Sequence, residues 1–227
     1  MAKTTCSTTL NQRNGFSLYA MPNPWLDIPL TDYERHMALP QVGQANLIAD
    51  RLAALLATHR PSSLAIIGCA GGNGFERLAA FGLERVVGVD INPHYLEAAR
   101  TRFASSLPGL ELVTADIQSS AMLFEPVEFV YAALLFEYVD PIRAMISLRR
   151  HCRPGGVLAT VIQLPHASLA AVSPSPYVSL HALGSTLRLV AADELRAHGE
   201  QAGFHYTACS TLVSPGGKEF ALQTFCA

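Results

Sequence analysis

Three short segments combine residue types that can hold a ligand. Gly68-Cys69-Ala70-Gly71-Gly72-Asn73-Gly74 follows the apolar run Leu64 to Ile67 and opens a helical pattern. Glycines there let the backbone turn sharply and let a ligand approach main-chain N–H groups. Asp90 closes a second apolar run, Arg85 to Val89, and a carboxylate in that place can accept both hydroxyls of a ribose. Asp116 follows a third run, Leu110 to Val113, where it can accept the exocyclic amine of an adenine ring, with Ile91 and Ile117 sandwiching the ring. Two cofactor classes share these features. A nicotinamide enzyme would use G-x-G-x-x-G, but counting from Gly68 the second glycine is Ala70 and the third is Asn73. Glycines after one strand and acids after the next two suit an adenosine without a pyrophosphate.

The elements that must position these residues alternate. Helical spacing of Leu47, Ile48, Leu52, Leu55 and Leu56 ends at Arg60-Pro61. Strands are expected at 64–67, 85–89, 110–113, 127–134 and 157–162, with helices near 73–81, 93–103, 140–151 and 192–202 between and after them. Asn92-Pro93 supplies an N-cap and a first-turn proline. The alternation predicts an α/β fold, a parallel sheet covered on both faces by right-handed crossovers. The runs 204–211 and 220–225 surround the turn Ser214-Pro215-Gly216-Gly217 with no helix between them, so they should pair antiparallel as a hairpin at the sheet edge. Ligands in such a sheet bind beyond the carboxyl ends of the strands. Residues 1–39, rich in Thr, Asn and Pro, are expected to form a cap or lid on a single domain spanning 40–227.

Composition narrows the function. Lys plus Arg number 16 against 18 for Asp plus Glu, which argues against a generic nucleic-acid or anionic-membrane binder. The longest apolar run, Phe129 to Phe136, is too short to cross a bilayer. Met1 to Leu10 has no apolar h-region, so no secretory leader is expected. Cys6, Cys69, Cys152, Cys209 and Cys226 are scattered and read as free, buried thiols in a reducing cytoplasm. The eight histidines lack metal-ligand spacing, so no metal site is expected. The cluster Arg149 to Arg153 sits at a helix C-terminus, where cations offset the macrodipole.

Residues 62–163 resemble the core of a class I S-adenosylmethionine-dependent methyltransferase. The resemblance is carried by Ile66 to Gly74, Val87-Gly88-Val89-Asp90-Ile91, Thr114-Ala115-Asp116-Ile117 and Arg153-Pro154-Gly155-Gly156-Val157, with Gln201-Ala202-Gly203-Phe204 closing the last helix. It implies a doubly wound, Rossmann-like seven-stranded sheet of order 3-2-1-4-5-7-6 with the last-entering strand antiparallel. It also implies S-adenosylmethionine as cofactor and S-adenosylhomocysteine as product. Gly68, Cys69, Ala70, Gly72, Asp90, Ile91, Asp116, Ile117 and Ala133 would form the cofactor site. Two positions depart from the family pattern: Ile66 replaces an acid that helps hold the methionine ammonium, and Ala70 replaces the middle glycine. Alanine costs little there if its φ is negative. Carbonyls of Gly68 and of the turn Ala132 to Leu134 remain for the ammonium.

Methyl transfer from a sulfonium needs alignment above all, and a general base only when the acceptor must lose a proton. Tyr33 and Tyr138 can turn aromatic faces to the cation. His36 and His166 are candidate bases, and Glu137 either contacts the acceptor or caps the following helix. Residues 166–185, with Pro174 and Pro176, form a long irregular segment expected to cover the pocket. The turn Ala132 to Tyr138 lacks the Asn/Asp-Pro-Pro-Tyr/Phe constellation of DNA amino-methylases, and apolar Trp25, Leu134 and Phe136 point to a small, partly apolar acceptor. Oligomeric state is not encoded in any feature of the chain. Two alternatives accompany this reading: an NAD(P)-dependent oxidoreductase on a related fold, and a binding module that keeps the pocket without turnover.

Overall fold

Apolar runs bounded by glycine, proline and acidic residues become the strands of one twisted sheet in the computed structural model, which describes residues 23–227. Residues 1–22, including Cys6 and the start read as leader-free, lie outside the described residues. The strands are β1 (Ser63–Ile67), β2 (Arg85–Asp90), β3 (Leu110–Thr114), β4 (Val127–Ala133), β5 (Cys152–Gln163), β6 (His205–Val213) and β7 (Glu219–Cys226). The helices are α1 (Leu30–Ala38), α2 (Gln44–His59), α3 (Pro93–Phe103), α4 (Pro141–His151) and α5 (Ala192–Gln201). The sheet order is β3-β2-β1-β4-β5-β7-β6, with β7 antiparallel to both its neighbours. The closing hairpin is therefore only half at the edge, since β7 lies inside the sheet and β6 is the outermost strand.

Alternation along each strand divides the core. Ala65, Ile67, Val87, Val89, Val130 and Leu158 pack with Met145, Leu148 and Leu195 of α4 and α5. Leu64, Ile66, Val86, Phe129 and Tyr131 pack on the other face with Leu52 and Leu56 of α2 and Leu96 of α3. Gly88 leaves room on β2 for the first turn: a Cβ there would lie 2.8 Å from Leu112 Cδ2, 3.0 Å from Phe75 Cζ and 3.1 Å from Cys69 Sγ.

Several expectations need revision. The predicted helix at 73–81 is a 3₁₀ turn, Phe75–Ala80, and a second 3₁₀ segment, Val178–Ser185, lies in the stretch read as irregular. The described part of the stretch expected to form a cap, residues 23–39, contains the nine-residue helix α1, which starts directly after Pro29. Strand β5 begins at Cys152, so Arg153-Pro154-Gly155-Gly156 belongs to it as an irregular stretch where its register with β4 shifts. Cys209 is exposed on outer strand β6, whereas Cys69 and Cys152 are buried as expected. No helix among the described residues is long and apolar enough to cross a membrane.

The register explains where a site can form. Ile67 pairs with Val89 on one side and Ala132 on the other, and Asp90 pairs with Thr114. Gly68, Asp90, Asp116 and Ala133 consequently emerge along one edge. Gln163 ends β5 on that edge and pairs with Phe220 near the start of β7. Because β7 runs the other way, its preceding residue Lys218 is delivered to the edge where the parallel strands end.

Candidate active site

A cleft of about 720 Å³, counted to its open mouth, lies over the ends of β1, β2, β3 and β4. Gly68, Ala70, Asp90, Ile91, Asp116, Ile117 and Ala133 line it, so most of the predicted cofactor residues share one cavity. Cys69 and Gly72 do not. The Cys69 thiol is buried beneath the turn, and burial followed by the Asp90 charge holds its pKa well above the ordinary value. Gly72 faces Phe103, whose ring would collide with any Cβ.

Asp90 is almost fully enclosed. One carboxylate oxygen accepts the Ala70 N–H and the other the Asn92 N–H, each at 2.9 Å. Each oxygen retains a lone pair, which is what a ribose diol requires. Burial raises the Asp90 pKa, and the N–H bonds from Asn92 and Ala70 pull it back. Asp116 is exposed and accepts the Gln118 N–H at 2.9 Å, while Ile117 is buried and Ile91 half-buried. Tyr95 and Gln118 also line the cleft. Tyr95 sits one turn into α3, and no spacing in the sequence marks it.

Ala70 has φ +47°. The condition under which alanine would be harmless is not met, because the left-handed region costs an L-residue about 1–2 kcal/mol. Leu134, at the turn after β4, is also left-handed with φ +55° and donates its N–H to Val161 O at 2.8 Å. Ile66 is a core residue on the α2 face of β1 and brings no charge to the cleft.

A second cleft, about 570 Å³, adjoins the first, and Trp25, Tyr33, Leu134 and Tyr138 line both. Trp25 meets Tyr33 edge-on at 5.3 Å and Tyr138 edge-on at 5.0 Å. Burial pushes both tyrosine hydroxyls further above their ordinary pKa, so both stay neutral phenols. The cap is tied over this junction: Asn92 Nδ2 donates to Trp25 O at 2.8 Å, and the Tyr95 hydroxyl to Ile28 O at 2.8 Å. Ser179 donates to Asp32 Oδ2 at 2.6 Å, joining α1 to the 3₁₀ segment at 178–185.

Buried polar groups line the second cleft. Glu137 Oε1 accepts the Gln163 N–H at 2.6 Å, whereas Oε2 has no partner. Burial pushes this carboxyl up to about 7, against the N–H bond from Gln163. Glu137 is not the cap of α4; that cap is Asp140, which accepts the Arg143 N–H at 3.1 Å. His36 is buried with Nδ1 unpartnered, and burial, then the Lys218 charge, lowers its pKa. Lys218, which no sequence feature marked, is 6% exposed and is lowered to about 8 by desolvation. His166 is exposed and lines neither cleft; its Nδ1 accepts the Ser168 N–H at 3.2 Å. No group of three or more His, Cys, Asp or Glu among the described residues is arranged to hold a metal.

The sheet order and the paired clefts define a doubly wound α/β fold with a ligand site at the carboxyl edge of its parallel strands. Residues 66–160 match the family described as a methyltransferase domain. The chain is 37% identical over 101 residues to a trans-aconitate 2-methyltransferase of Azoarcus sp. (strain BH72), a stretch that is 44% of this chain and 37% of that protein. The chain therefore matches little more than a third of that curated relative's length. Magnesium protoporphyrin IX methyltransferase (ChlM) from Synechocystis PCC 6803, with bound S-adenosylhomocysteine, has the same fold at a TM-score of 0.67 and 14% identity, over 87% of this chain and 94% of that one. The N-methyltransferase NodS from Bradyrhizobium japonicum WM9, in complex with S-adenosylhomocysteine, aligns at 0.59 and 20% identity over 91% and 93%. Family match and topology agree: residues 66–160 are similar to a methyltransferase domain, and the sheet that contains them has the fold of those structures.

Proposed function

We propose that the protein transfers a methyl group from S-adenosylmethionine to a small-molecule acceptor, with the nucleoside in the first cleft and the acceptor in the second. One observation carries the reading: the two clefts share a single aromatic wall, and the first presents a carboxylate from each of two successive strand ends. When bound, S-adenosylmethionine supplies an electrophilic methyl group that the acceptor attacks in line, leaving S-adenosylhomocysteine.

The residues present fit that ligand. Asp90 takes the ribose hydroxyls on the lone pairs its backbone bonds leave free. Asp116 and Gln118 face the adenine edge, and Ile91 and Ile117 cover its faces. Carbonyls of Gly68 and Ala133 remain for the methionine ammonium, because Ile66 provides no charge. Trp25, Tyr33 and Tyr138 place aromatic rings where the two clefts meet and exclude water there. Glu137 Oε2, unpartnered and titrating near neutrality, accepts a proton from an acceptor that must lose one. His36 is a second group able to do so.

Calorimetric titration with S-adenosylhomocysteine tests the cofactor half. Asp90→Ala is expected to weaken binding about tenfold or more and Asp116→Ala by less, since buried bonds to a charged acceptor contribute about 1.5–3 kcal/mol. Stabilisation by NAD(H) with no response to S-adenosylhomocysteine would instead establish the oxidoreductase. Binding without methyl transfer from labelled S-adenosylmethionine to any acceptor in a broad metabolite panel would establish a non-catalytic module.

A further inference from the structure

The second cleft contains an ammonium without a counter-ion. Lys218 Nζ donates to Gln163 Oε1 at 3.2 Å and to the Ala171 carbonyl, both neutral acceptors, which leaves one N–H for the cavity. Among the described residues no carboxylate forms an ion pair with it. A cation this buried is normally paired. Its position is fixed from two sides. Gly216 lies against the Gln41 carbonyl, and a Cβ on Gly43 would stand 2.6 Å from Pro215 Cγ, so the β6–β7 turn is pressed onto the α1–α2 junction. That packing brings Lys218 into one cavity with His36 and Gln44. Gln163 also joins Lys218 to the opposite charge, because its backbone N–H is held by Glu137 while its side-chain oxygen is held by Lys218. The remaining wall is apolar, with Met37, Leu180, Leu183 and Leu187.

We infer that the second cleft selects a small hydroxy- or amino-carboxylate with an apolar body, its acid group held by the Lys218 ammonium and its proton-bearing nucleophile turned to Glu137. The inference rests on the reading of this cleft as the acceptor site. Lys218 binds the carboxylate through its third N–H, with the neutral His36 and the Gln44 amide beside it. Glu137 receives the proton that the hydroxyl or amine loses as its lone pair forms the new bond to the methyl carbon, while the carbon–sulfur bond breaks and its electron pair leaves with the neutral thioether of S-adenosylhomocysteine. Two opposite charges joined by one residue favour a ligand that carries both functions a few bonds apart. A simple amine leaves Lys218 unpaired, and a plain hydrocarbon leaves both groups unpaired.

The test uses protein saturated with S-adenosylhomocysteine and a panel of hydroxybenzoates, aminobenzoates and hydroxyalkanoates, each compared with its own carboxamide. The tightest acids are expected to bind about tenfold or more better than their amides, as a charge-assisted bond requires. Lys218→Met should bring acid and amide close to parity without changing S-adenosylhomocysteine affinity, and Lys218→Arg should retain the preference in part. The unmutated protein gives a second measurement: the preference should decline as pH rises past about 8, where the ammonium loses its proton. Failure of every acid to bind, equal binding of acids and amides, or a preference that survives Lys218→Met overturns the inference while the cofactor reading stands. Failure of S-adenosylhomocysteine to bind the unmutated protein overturns the cofactor reading itself.

Discussion

Ala70 holds a left-handed backbone in which its N–H reaches the Asp90 carboxylate, and the strain is local to the turn after β1. Glycine would relieve about 1–2 kcal/mol of steric strain. The freedom that glycine adds to the unfolded chain offsets about 0.4–1 kcal/mol of that gain. Ala70→Gly should therefore stabilise the protein by up to about 1.6 kcal/mol, raising Tm by up to about 3–6 °C for a chain of this size. Thermal unfolding measures the gain. A titration should find S-adenosylhomocysteine affinity within about twofold of the original, because the substitution keeps the backbone N–H that Asp90 accepts. A Tm that stays or falls would mean that the Cβ contributes packing worth more than the strain.

At the scale of elements, the cap is a short strap, and its attachment depends on a few bonds. Tyr95 of α3 and Asn92 at its N-cap hold the carbonyls of Ile28 and Trp25, on either side of the aromatic wall. Tyr95→Phe deletes one of those bonds and strands a buried carbonyl, costing about 1–3 kcal/mol. The cost should appear locally, as faster amide exchange over residues 24–38 than over β1 or β4, and as several-fold weaker S-adenosylhomocysteine binding. Uniformly faster exchange across the sheet would show instead that Tyr95 supports the whole domain. Much of this architecture was legible in the chain. Strand runs, the Asn92-Pro93 helix start and the acids at strand ends are local patterns, and local patterns survive folding. Helix α1 was hidden because prolines on its approach masked a nine-residue segment that packing stabilises. Phe75, the first residue of the 3₁₀ turn Phe75–Ala80, packs against Gly88, a contact between distant elements that no propensity encodes. Lys218 was invisible for a different reason: only the antiparallel entry of β7 between β5 and β6 carries the residue before it to the ligand edge. His166, conspicuous in sequence, projects into solvent.

Across the whole molecule, the second cleft is a standing cost to stability that the fold tolerates, and its pH dependence identifies the groups responsible. Burial raises Glu137 from the ordinary 4.5 to about 7. Below about 4.5 the carboxyl is protonated in both folded and unfolded chains and contributes nothing. Between these values the folded chain keeps a proton that the unfolded chain has lost, so stability falls as pH rises. Above about 7 the full penalty, about 3 kcal/mol, persists. Lys218 behaves oppositely: its lowered pKa destabilises the fold below about 8, and that penalty is relieved as pH climbs toward 10.5. Both penalties are in force near pH 7 to 8, where an uncomplexed pocket is most strained and a ligand pairing both groups gains most. His36, lowered in pKa, adds a slope of the opposite sign to that of Glu137 near its own titration, so the unmutated profile alone is ambiguous. The difference between the unmutated protein and Glu137→Gln removes that ambiguity. The glutamine oxygen can still accept the Gln163 N–H, and the neutral amide carries no charge to desolvate. Denaturation midpoints should coincide near pH 4.5 and separate in favour of Glu137→Gln as pH rises, reaching about 3 kcal/mol by pH 8, while methyl transfer falls. Parallel profiles would place the Glu137 carboxylate in contact with solvent and remove it from the proton-accepting role. A variant that gains stability yet keeps full transfer would leave the burial account intact and pass that role to His36.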